Sequence, residues 1–397
     1  MQIRPLTYFM VLCALAVQGL AGTTLASAAA QKTKLWVDPQ RGTSGASGTS
    51  DKPCRSLSEA IGLLPETLSQ SVTIQVASGD YSTTGGQNMA SDRLELMRRM
   101  RPGVAVRIVG MPGTDGTRPH FGWEGGSAMI LVCEGEWWIE NVQVGTFSTH
   151  QRRGVMVTGP AQVTLKDVTF RIRSQSDAAI YAERGGLALL RGAIRINEHL
   201  HDNAPEESFA GIIATDHGAV RFDDADGALL DIGNGSLMAS YYGCIGLGCR
   251  TAHITSWGEQ SNTLAIDNSG RIDLHNTTTT LSAKRKRNTP IGLEHDGHIL
   301  AEGAHIIIEG DNDAAIALQK ASTLTCNDIE LRGTFGKTLW ASSGSMFVGG
   351  FLTDIIEVSA DTSARINIEK LGGKIQGSVT AKRCGTVALP DRNVVGQ

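Results

Sequence analysis

Several features that define common protein classes are scarce in this 397-residue chain. Aromatic residues make up 5% of it, and there are 11 prolines. Beyond residue 28 no apolar stretch approaches the ~20 residues that a membrane-spanning helix needs. The net charge of −4 provides no basic surplus for nucleic acid, and no cysteines show CxxC metal-site spacing. The composition therefore predicts no membrane span and no nucleic-acid partner.

The first 28 residues have the pattern of a secretory signal peptide. Arg4 supplies a positive start, an apolar run follows, and small residues lead up to a cleavage site after Ala28. We expect residues 1–28 to be removed and the mature chain to be exported, either to a periplasm or out of the cell. Residues 29–70 are then an N-terminal segment, and 71–397 hold the repeats described below.

The mature chain keeps six cysteines, at Cys54, Cys133, Cys244, Cys249, Cys326 and Cys384. An even number in an exported protein permits disulfides, and Cys244 and Cys249 lie closest in sequence. Alternatively, several of the six are small buried apolar residues. Both possibilities stay open at the level of sequence.

A short motif recurs along the chain. In GEWWIENVQV, Gly135 is followed by apolar Trp137 and Ile139, and the polar pair Glu140-Asn141 then breaks the alternation. Similar pairs are Lys166-Asp167, His275-Asn276 and Asn327-Asp328. The small starting residue can be placed, in steps of 20 to 33 residues, at Gly135, Ala161, Gly185, Gly218, Gly243, Gly270, Gly297, Ser322, Gly344 and Ala364.

A repeat of this length, made of short strands without a helix, predicts a solenoid of stacked coils. One coil cannot bury its apolar side chains, but stacking joins them into a continuous core. The polar pairs are then corners, because Asn and Asp tolerate bent backbone and bond neighbouring amides. We expect an all-β parallel β-helix of about ten to twelve coils.

The mature start, LWVDPQRGTSGASGTSDKPCRSLSEAIGLL, resembles the opening of secreted right-handed parallel β-helix proteins of the pectin-lyase-like superfamily. The matching residues are Trp36-Val37-Asp38-Pro39, Gly48-Thr49-Ser50, Pro53, Leu57, Ala60-Ile61 and Gly79-x-Tyr81, and the corner patterns WWIENVQV and VTLKDVTF match as well. The resemblance covers essentially the whole mature chain. It implies a right-handed coil and a short N-terminal capping helix from Ser56 to Leu64. It does not imply one function, because the superfamily includes lyases, hydrolases and adhesins.

Enzymes of this superfamily usually bind substrate along the outer face of the first strand of each coil. We predict that this outward row is Ile130, Met156, Ile180, Ile213, Met238, Ala265, Gly292 and Ala317. A polyuronate site would need carboxylates and Lys or Arg there, and the row has none. An apolar row predicts a face that loops or termini cover, or a homo-oligomer interface. The catalytic signatures of the superfamily's esterases, hydrolases and epimerases are also absent.

Two loops carry the candidate binding residues. The loop from Asn197 to Phe209 contains His199, His201 and Asp202, which could bind a metal or substrate or form an ordinary polar loop. The run Lys284, Arg285, Lys286 and Arg287 forms a local anion site or a solvated loop. We expect Arg152, Arg153 and Arg173 on the same side, with acidic polysaccharide as the natural exported partner.

The turn after the first strand carries a broken row of acidic residues, at Asp216, Asp267, Glu294 and Asp296. Stacked carboxylates repel one another unless they are paired, protonated or bridged by a cation such as Ca²⁺. The row is therefore either a weak Ca²⁺ site or a set of solvated turn residues. No other cofactor is indicated.

Two functions from different classes fit the sequence. The first is a surface or adhesion-type β-helix that binds acidic polysaccharide through loop cations, favoured by the apolar first strand and the missing signatures. The alternative is a polysaccharide lyase or hydrolase that acts on acidic glycans near the loop from Asn197 to Phe209. A lyase would need a base beside the sugar, and the sequence alone does not identify one.

Overall fold

The computed structural model describes residues 33–81, 94–122, 129–145, 153–172, 177–202, 210–222, 228–257 and 262–396, apart from the side chains of residues 177 and 210. These residues belong to one compact unit. The predicted signal peptide lies outside the described residues.

Strands dominate the described chain. In chain order, strands β1 to β35 are Lys34–Val37, Thr67–Leu68, Val72–Val76, Gly79–Asp80, Leu94–Met97, Arg99–Met100, Val106–Gly110, Pro119–Phe121, Ile130–Glu134, Glu136–Glu140, Gln143–Val144, Val155–Thr158, Gln162–Lys166, Thr169–Phe170, Asp177–Glu183, Leu187–Arg191, Ala193–Ile196, Ala210–Ala214, Ala219–Phe222, Leu229–Ile232, Leu237–Ala239, Cys244–Leu247, Thr251–Ser256, Leu264–Ile266, Arg271–Leu274, Thr278–Ala283, Ile291–Leu293, His298–Leu318, Thr323–Ala341, Met346–Phe351, Val358–Ala360, Arg365–Leu371, Val379–Ala381, Thr386–Ala388 and Asn393–Val395. Helix α1 spans Leu57–Gly62, and a 3-10 helix spans Glu198–Leu200.

The fold is a parallel β-helix, as the sequence predicts. Each coil contributes three strands, and each strand pairs in parallel with its equivalent in the next coil, so the strands form three faces. In one coil, β21 lies on the first face, β22 on the second and β23 on the third; they pair with β24, β25 and β26 of the following coil. The long strands β28 and β29 run through their corners with register shifts.

Both ends of the described coils are closed. Helix α1 packs its buried Leu57, Ala60 and Ile61 at the N-terminal end, and Ser56 and Glu59 form a reciprocal capping box. The short helix implied by the resemblance is therefore present. At the other end, β35 pairs antiparallel with β34, which covers an otherwise open strand edge. Strand β1 already pairs with β3, so the sheet starts at Lys34, inside the stretch assigned to the N-terminal segment.

The corners have the structure that the polar pairs indicate. Asn141 is left-handed at φ 55°. Its side-chain Nδ2 donates to the Gly110 carbonyl of the preceding coil at 2.9 Å, and its backbone N–H donates to Lys166 of the next coil at 2.9 Å. Asn327 similarly accepts from the Gly303 N–H at 2.7 Å. These bonds along the helix axis explain why Asn and Asp recur there.

Two placements of the repeat are wrong by one residue. Around Gly185, the buried side chains are Ala188 and Leu190, because Leu187 pairs with the outward Gln162. Around Gly344, Phe347 is buried and Met346 is 39% exposed. In both coils two small residues are adjacent, and the repeat starts at the second of them rather than at the first. A slip of one residue exchanges the two faces of a strand.

The same error affects the predicted outward row of the first face. Ile130 and Ile180 are both paired with the inward Val155 and are at most 1% exposed. The outward residues of those strands are Leu131 and Tyr181. At Ile180 the cause is again the start at Gly186 rather than Gly185, and at Ile130 the turn after the first strand is one residue shorter than in the next coil. The corrected row is still apolar through Met156, Ile213 and Met238, which are partly exposed.

Of the two possibilities left open for the cysteines, the Cys244–Cys249 disulfide is absent, since both residues are free thiols. Cys244 points outward from β22, whereas Cys249 is 1% exposed. Cys249 and the similarly buried Cys326 support the alternative of small apolar core residues. Burial raises the pKa of the Cys326 thiol to about 12.

Candidate functional site on the third face

The loop that carries His201 is directed by a buried asparagine. Asn197 follows β17, is left-handed at φ 48° and is fully buried. Its side chain accepts from the Ile172 N–H at 2.9 Å and donates to the Ile172 carbonyl at 2.7 Å. The 3-10 helix starts from this fixed point and buries Leu200. His201 is thereby placed against the outer side of the third face.

Two coils of the third face meet His201 with polar side chains. Asp231 of β20 and His253 of β23 are directly paired in register and both point outward, so their backbones are about 4.8 Å apart. Thr255 lies two residues beyond His253 and is 1% exposed. We call His201, Asp231 and His253 the third-face cluster.

His201 is held by both of its ring nitrogens. Its Nε2 lies 2.5 Å from Asp231 Oδ1, and its Nδ1 lies 2.7 Å from the Thr255 hydroxyl. In the neutral ring, Nε2–H therefore donates to the carboxylate and Nδ1 accepts from Thr255. The His201 ring also stacks on His253, with centroids 4.1 Å apart and planes 8° from parallel. His201 acts as a fixed support for His253.

His253 has a different environment. Its ring nitrogens form no hydrogen bond with the described part of the chain, and the residue is partly exposed. Burial lowers the pKa of His253, and the neighbouring His201 and Lys284 lower it further, while Asp231 and Glu309 oppose the effect. A neutral imidazole with an unused lone pair can accept a proton.

The basic run begins beside this cluster. Lys284 directly follows β26, and its backbone N–H donates to Ser256 of the preceding coil at 2.9 Å. The buried Asn312 donates to the Arg285 carbonyl at 2.8 Å, and Arg285 Nε donates to the Trp257 carbonyl at 3.3 Å. We call Lys284 to Arg287 the basic turn. Neighbouring coils fix the backbone of the basic turn, which favours the predicted anion site over a solvated loop.

The basic turn retains uncompensated charge. Lys284, Lys286 and Arg287 are exposed and form no ion pair with the described residues. The next coil brings exposed Asp311 and Asp313 nearby, and the Asp313 N–H donates to the Lys286 carbonyl at 2.7 Å. Four cations against two carboxylates leave a local positive surplus, although the whole chain is acidic.

The third face continues into ion pairs beyond the cluster. His305 Nε2 lies 3.2 Å from Glu330, and Arg332 bridges Glu330 at 2.7 Å and Glu309 at 3.2 Å. The hydrogen bond from Arg332 is the main cause of the lowered pKa of Glu330. Arg332 therefore compensates both glutamates, whereas Lys284, Lys286 and Arg287 form no such pair with the described residues.

The other candidate residues are scattered. His199, whose pKa burial lowers, and Asp202 are exposed beside the 3-10 helix and outside the cluster. Arg153 is on the first face, where its guanidinium carbon lies 3.7 Å from the centre of the Tyr181 ring. Arg152 and Arg173 lie outside the described residues. The structure therefore brings His201 and the basic turn together, and it separates Arg153 from them.

The acidic row of the turn between the first and second faces is paired with histidine and lysine side chains. His295 Nδ1 lies 2.7 Å from Asp267, and Lys320 lies 3.6 Å from Glu294. His298 lies 3.4 Å from Asp296, and His217 lies 3.5 Å from Asp216. Imidazole and ammonium groups thus take the places where a Ca²⁺ ion would have to bind. The Ca²⁺ site stays a prediction without geometric support.

A transition metal is the only ion whose ligand preference resembles the third-face cluster. One donor atom from each of His201, Asp231 and His253 lies within 4.8 Å of the others, and a set of two imidazoles and a carboxylate suits Zn²⁺ rather than Ca²⁺. The stacked rings argue against such a site. Lone pairs lie in the ring plane, and two nearly parallel planes do not converge on one ion.

Sequence reasoning identified His201 but missed Asp231, His253 and Thr255. The available signal was an ionisable residue between two apolar residues of a third strand, as in LLDI and TAHITS. Finding it requires the register of the third face, which the irregular loops between the faces conceal.

Comparisons with known proteins add little to this site. No family model matches the chain, and no curated protein matches it. Among solved structures, matches include the GH136 lacto-N-biosidase from Eubacterium ramulus in selenomethionine and native forms, with 11% and 10% identity and TM-scores of 0.37 and 0.36. Each match covers 88% of this chain and 67% of the other. At these TM-scores the likeness carries no argument about site or substrate. Among the described residues, no helix is long and apolar enough to cross a membrane.

Proposed function

We propose that this protein is an exported β-helix protein that binds acidic polysaccharide on its third face, across the third-face cluster and the basic turn. One observation carries the proposal: His253 stacks on His201, and β23, which bears His253, pairs with β26, which leads directly into Lys284. Two separate sequence candidates therefore form one surface. Unpaired cations attract the acid groups of a glycan, and the partly exposed imidazole of His253 can bond its hydroxyls.

Retention of glycans on immobilised mature protein tests this proposal. We expect polyuronates to be retained and dextran to pass, with retention weakening as salt increases. The variant Lys284→Gln/Lys286→Gln/Arg287→Gln keeps Arg285, which helps to fix the turn. Three lost contacts of roughly 0.5 kcal/mol each would weaken binding about tenfold.

The matched control removes the same charge elsewhere. Lys52, Lys374 and Lys382 are exposed, and their replacement by Gln also lowers the net charge by three. Equal loss of retention in both variants would mean that only net charge matters, and the proposed surface would be wrong. Unchanged retention in the basic-turn variant would also contradict it.

We propose eliminative cleavage of acidic glycans as the second candidate function. The specific observation is the support of His253 by a fixed His201, which leaves a neutral, partly exposed base beside a lysine. In such a reaction His253 takes the proton on the carbon next to the acid group, and Lys284 neutralises that acid. The bond to the leaving oxygen breaks, its electron pair leaves with the oxygen, and the C–H pair forms the double bond; solvent protonates the leaving oxygen.

Ultraviolet absorbance of the unsaturated product distinguishes cleavage from binding. We would incubate the protein with polyuronates and compare His253→Gln with His295→Gln, which changes an exposed histidine of the acidic turn. A signal that only His253→Gln removes supports the lyase. No signal, together with specific retention, leaves the binding function alone.

A further inference from the structure

A cavity lies on the second face, at the level of the same coils. It has a volume of about 320 Å³, and its polar or open lining consists of Arg221, Cys244, Gly246, Gly248, Asp273 and His275. None of these residues belongs to the third-face cluster or the basic turn. Its volume is at the lower end of the range for small-molecule sites.

Two glycines create the cavity. The outward row of the second face reads Leu189, Arg221, Gly246, Asp273 and Leu300, so Gly246 leaves a gap between a cation and an anion. Two residues further along the chain, Gly248 leaves a second gap beside His275. Both outward positions at this part of the coil therefore lack a side chain.

The protein itself does not require glycine at position 246. A Cβ added there would have its nearest contact at 3.6 Å, with Arg221 Cγ, which is ordinary packing. By contrast, a Cβ at Gly243 in the same coil would lie 2.1 Å from the Ala214 carbonyl oxygen, and Gly218 and Gly270 have the same constraint at 2.2 Å. Neither backbone conformation nor packing explains Gly246. Glycine inside a strand often marks a place where a ligand approaches the backbone.

The charges around the gap are unequally satisfied. Asp273 accepts from Arg271 Nε at 2.6 Å. Arg221, in contrast, pairs with no carboxylate in the described part of the chain, and its proximity lowers the pKa of the Cys244 thiol, against the larger opposite effect of burial. A guanidinium is a strong partner for a carboxylate because it can donate two parallel N–H bonds. At the other side of the cavity, Asp273 adds a hydrogen-bond acceptor and His275 adds an imidazole ring.

We propose that this cavity binds a single carboxylate-bearing sugar ring, such as one uronic-acid unit. Arg221 pairs with the acid group, Asp273 and His275 bond the hydroxyls, and the ring lies against the bare backbone of Gly246 and Gly248. The choice of an acidic sugar rests on the proposed function, but the cavity does not. If the third face holds an acidic glycan, this cavity on the adjacent second face of the same coils is a separate subsite.

Cys244 provides a built-in probe of occupancy. It is a free, partly exposed thiol that lines the cavity. Burial is the main cause of its raised pKa, so its reaction with a thiol reagent is slow enough to follow at mildly alkaline pH. The full-length mature protein is treated with iodoacetamide, and modification of the peptide that contains Cys244 is measured by mass spectrometry. The Cys384 peptide, which is exposed and distant in sequence, is the internal standard.

The probes are glucuronate, galacturonate, glucose and acetate. We expect a uronate to slow modification of Cys244 about tenfold at about ten times its Kd, because only the unoccupied fraction reacts. The Cys384 rate should not change. No protection by either uronate would overturn the proposal, and equal protection by acetate would overturn its sugar part.

Variants separate the cavity from other causes of protection. Gly246→Leu fills the gap, and Arg221→Gln removes the cation through an exposed side chain that the fold does not need; both should abolish protection. Thr325→Leu, at an equivalent outward position of the same row, is the control and should keep it. The Lys284→Gln/Lys286→Gln/Arg287→Gln variant should also keep it. Protection that survives Arg221→Gln would contradict the assignment, whereas failure of glycan retention on the third face would not affect it.

Discussion

Two histidine–carboxylate pairs bridge neighbouring coils. Their distances are similar, but they differ in solvent exposure and in the other partners of the histidine. Asp231 and His201 are 2.5 Å apart on the third face, with side chains 23% and 19% exposed. Asp267 and His295 are 2.7 Å apart on the turn between the first and second faces, with 39% and 45% exposed. In the second pair, Lys320 also donates to the other ring nitrogen of His295 at 2.8 Å.

The difference comes from the chain segment that carries each histidine. His295 belongs to a turn that repeats in successive coils, where pairs of left-handed residues such as Asn268-Ser269 and His295-Asp296 have φ between 46° and 61°. Stacked turns place neighbours at a regular spacing, so their charges compensate one another in solvent. His201 comes from a loop outside the repeat, and it fixes a histidine of the repeat that has no such partner. Here the side chains without hydrogen-bond or ionic partners arise where the chain departs from the repeat, and the regular turns leave few of them.

The largest expected effect follows from removing the anchor of that loop. Asn197→Ala loses two buried hydrogen bonds to Ile172 and forces a left-handed conformation on alanine. At about 1 kcal/mol for each bond and about 1 kcal/mol for the conformation, we expect a loss of roughly 3 kcal/mol in the free energy of unfolding. Urea denaturation measures it.

Asn276→Ala is the matched control, because Asn276 is also left-handed, at φ 51°, but is exposed. It should cost about 1 kcal/mol. Equal losses in the two variants would show that the side-chain bonds of Asn197 contribute little, and that His201 does not depend on them.

The next prediction compares the two histidine–carboxylate pairs directly. Asp231→Asn removes a charge-assisted bond in a half-buried site and should cost about 1.5–3 kcal/mol. Asp267→Asn removes an exposed pair, for which about 0–1 kcal/mol is expected. High salt should reduce the second cost more than the first. If Asp267→Asn is the more damaging change, the contrast between the two regions is wrong.

Much of the fold could be predicted from sequence, and the site only in part. Corner residues such as Asn141 and the buried rows around Trp137 follow from local alternation, which acts within one coil. Errors arose where adjacent small residues, as at Gly185, allowed two registers one residue apart. His253 was out of reach for another reason: its meeting with His201 depends on register across coils that are separated by loops of unequal length.

A smaller effect is expected in the pH dependence of stability. Because the pKa of His253 is below its ordinary value of 6.5, the unfolded chain binds this proton at a higher pH than the folded protein does. Stability should therefore fall as the pH decreases through 6.5, and level off once folded His253 is also protonated. Urea midpoints of the wild type and His253→Gln measure this, and the variant should show a weaker slope. Identical slopes would contradict the lowered pKa.

The smallest effect tests whether the basic turn and the histidines share one surface. Lys284 is one cause of the lowered pKa of His253, because its positive charge opposes a second charge nearby. Lys284→Gln should therefore raise that pKa towards 6.5, and adding salt to the wild type should act in the same direction. Titration of the His253 ring signals by NMR measures both. Lys286→Gln, two residues further on, is the control and should shift the pKa less. If neither variant moves it, the turn does not act on His253, and the glycan-binding proposal loses the electrostatic link between its two halves.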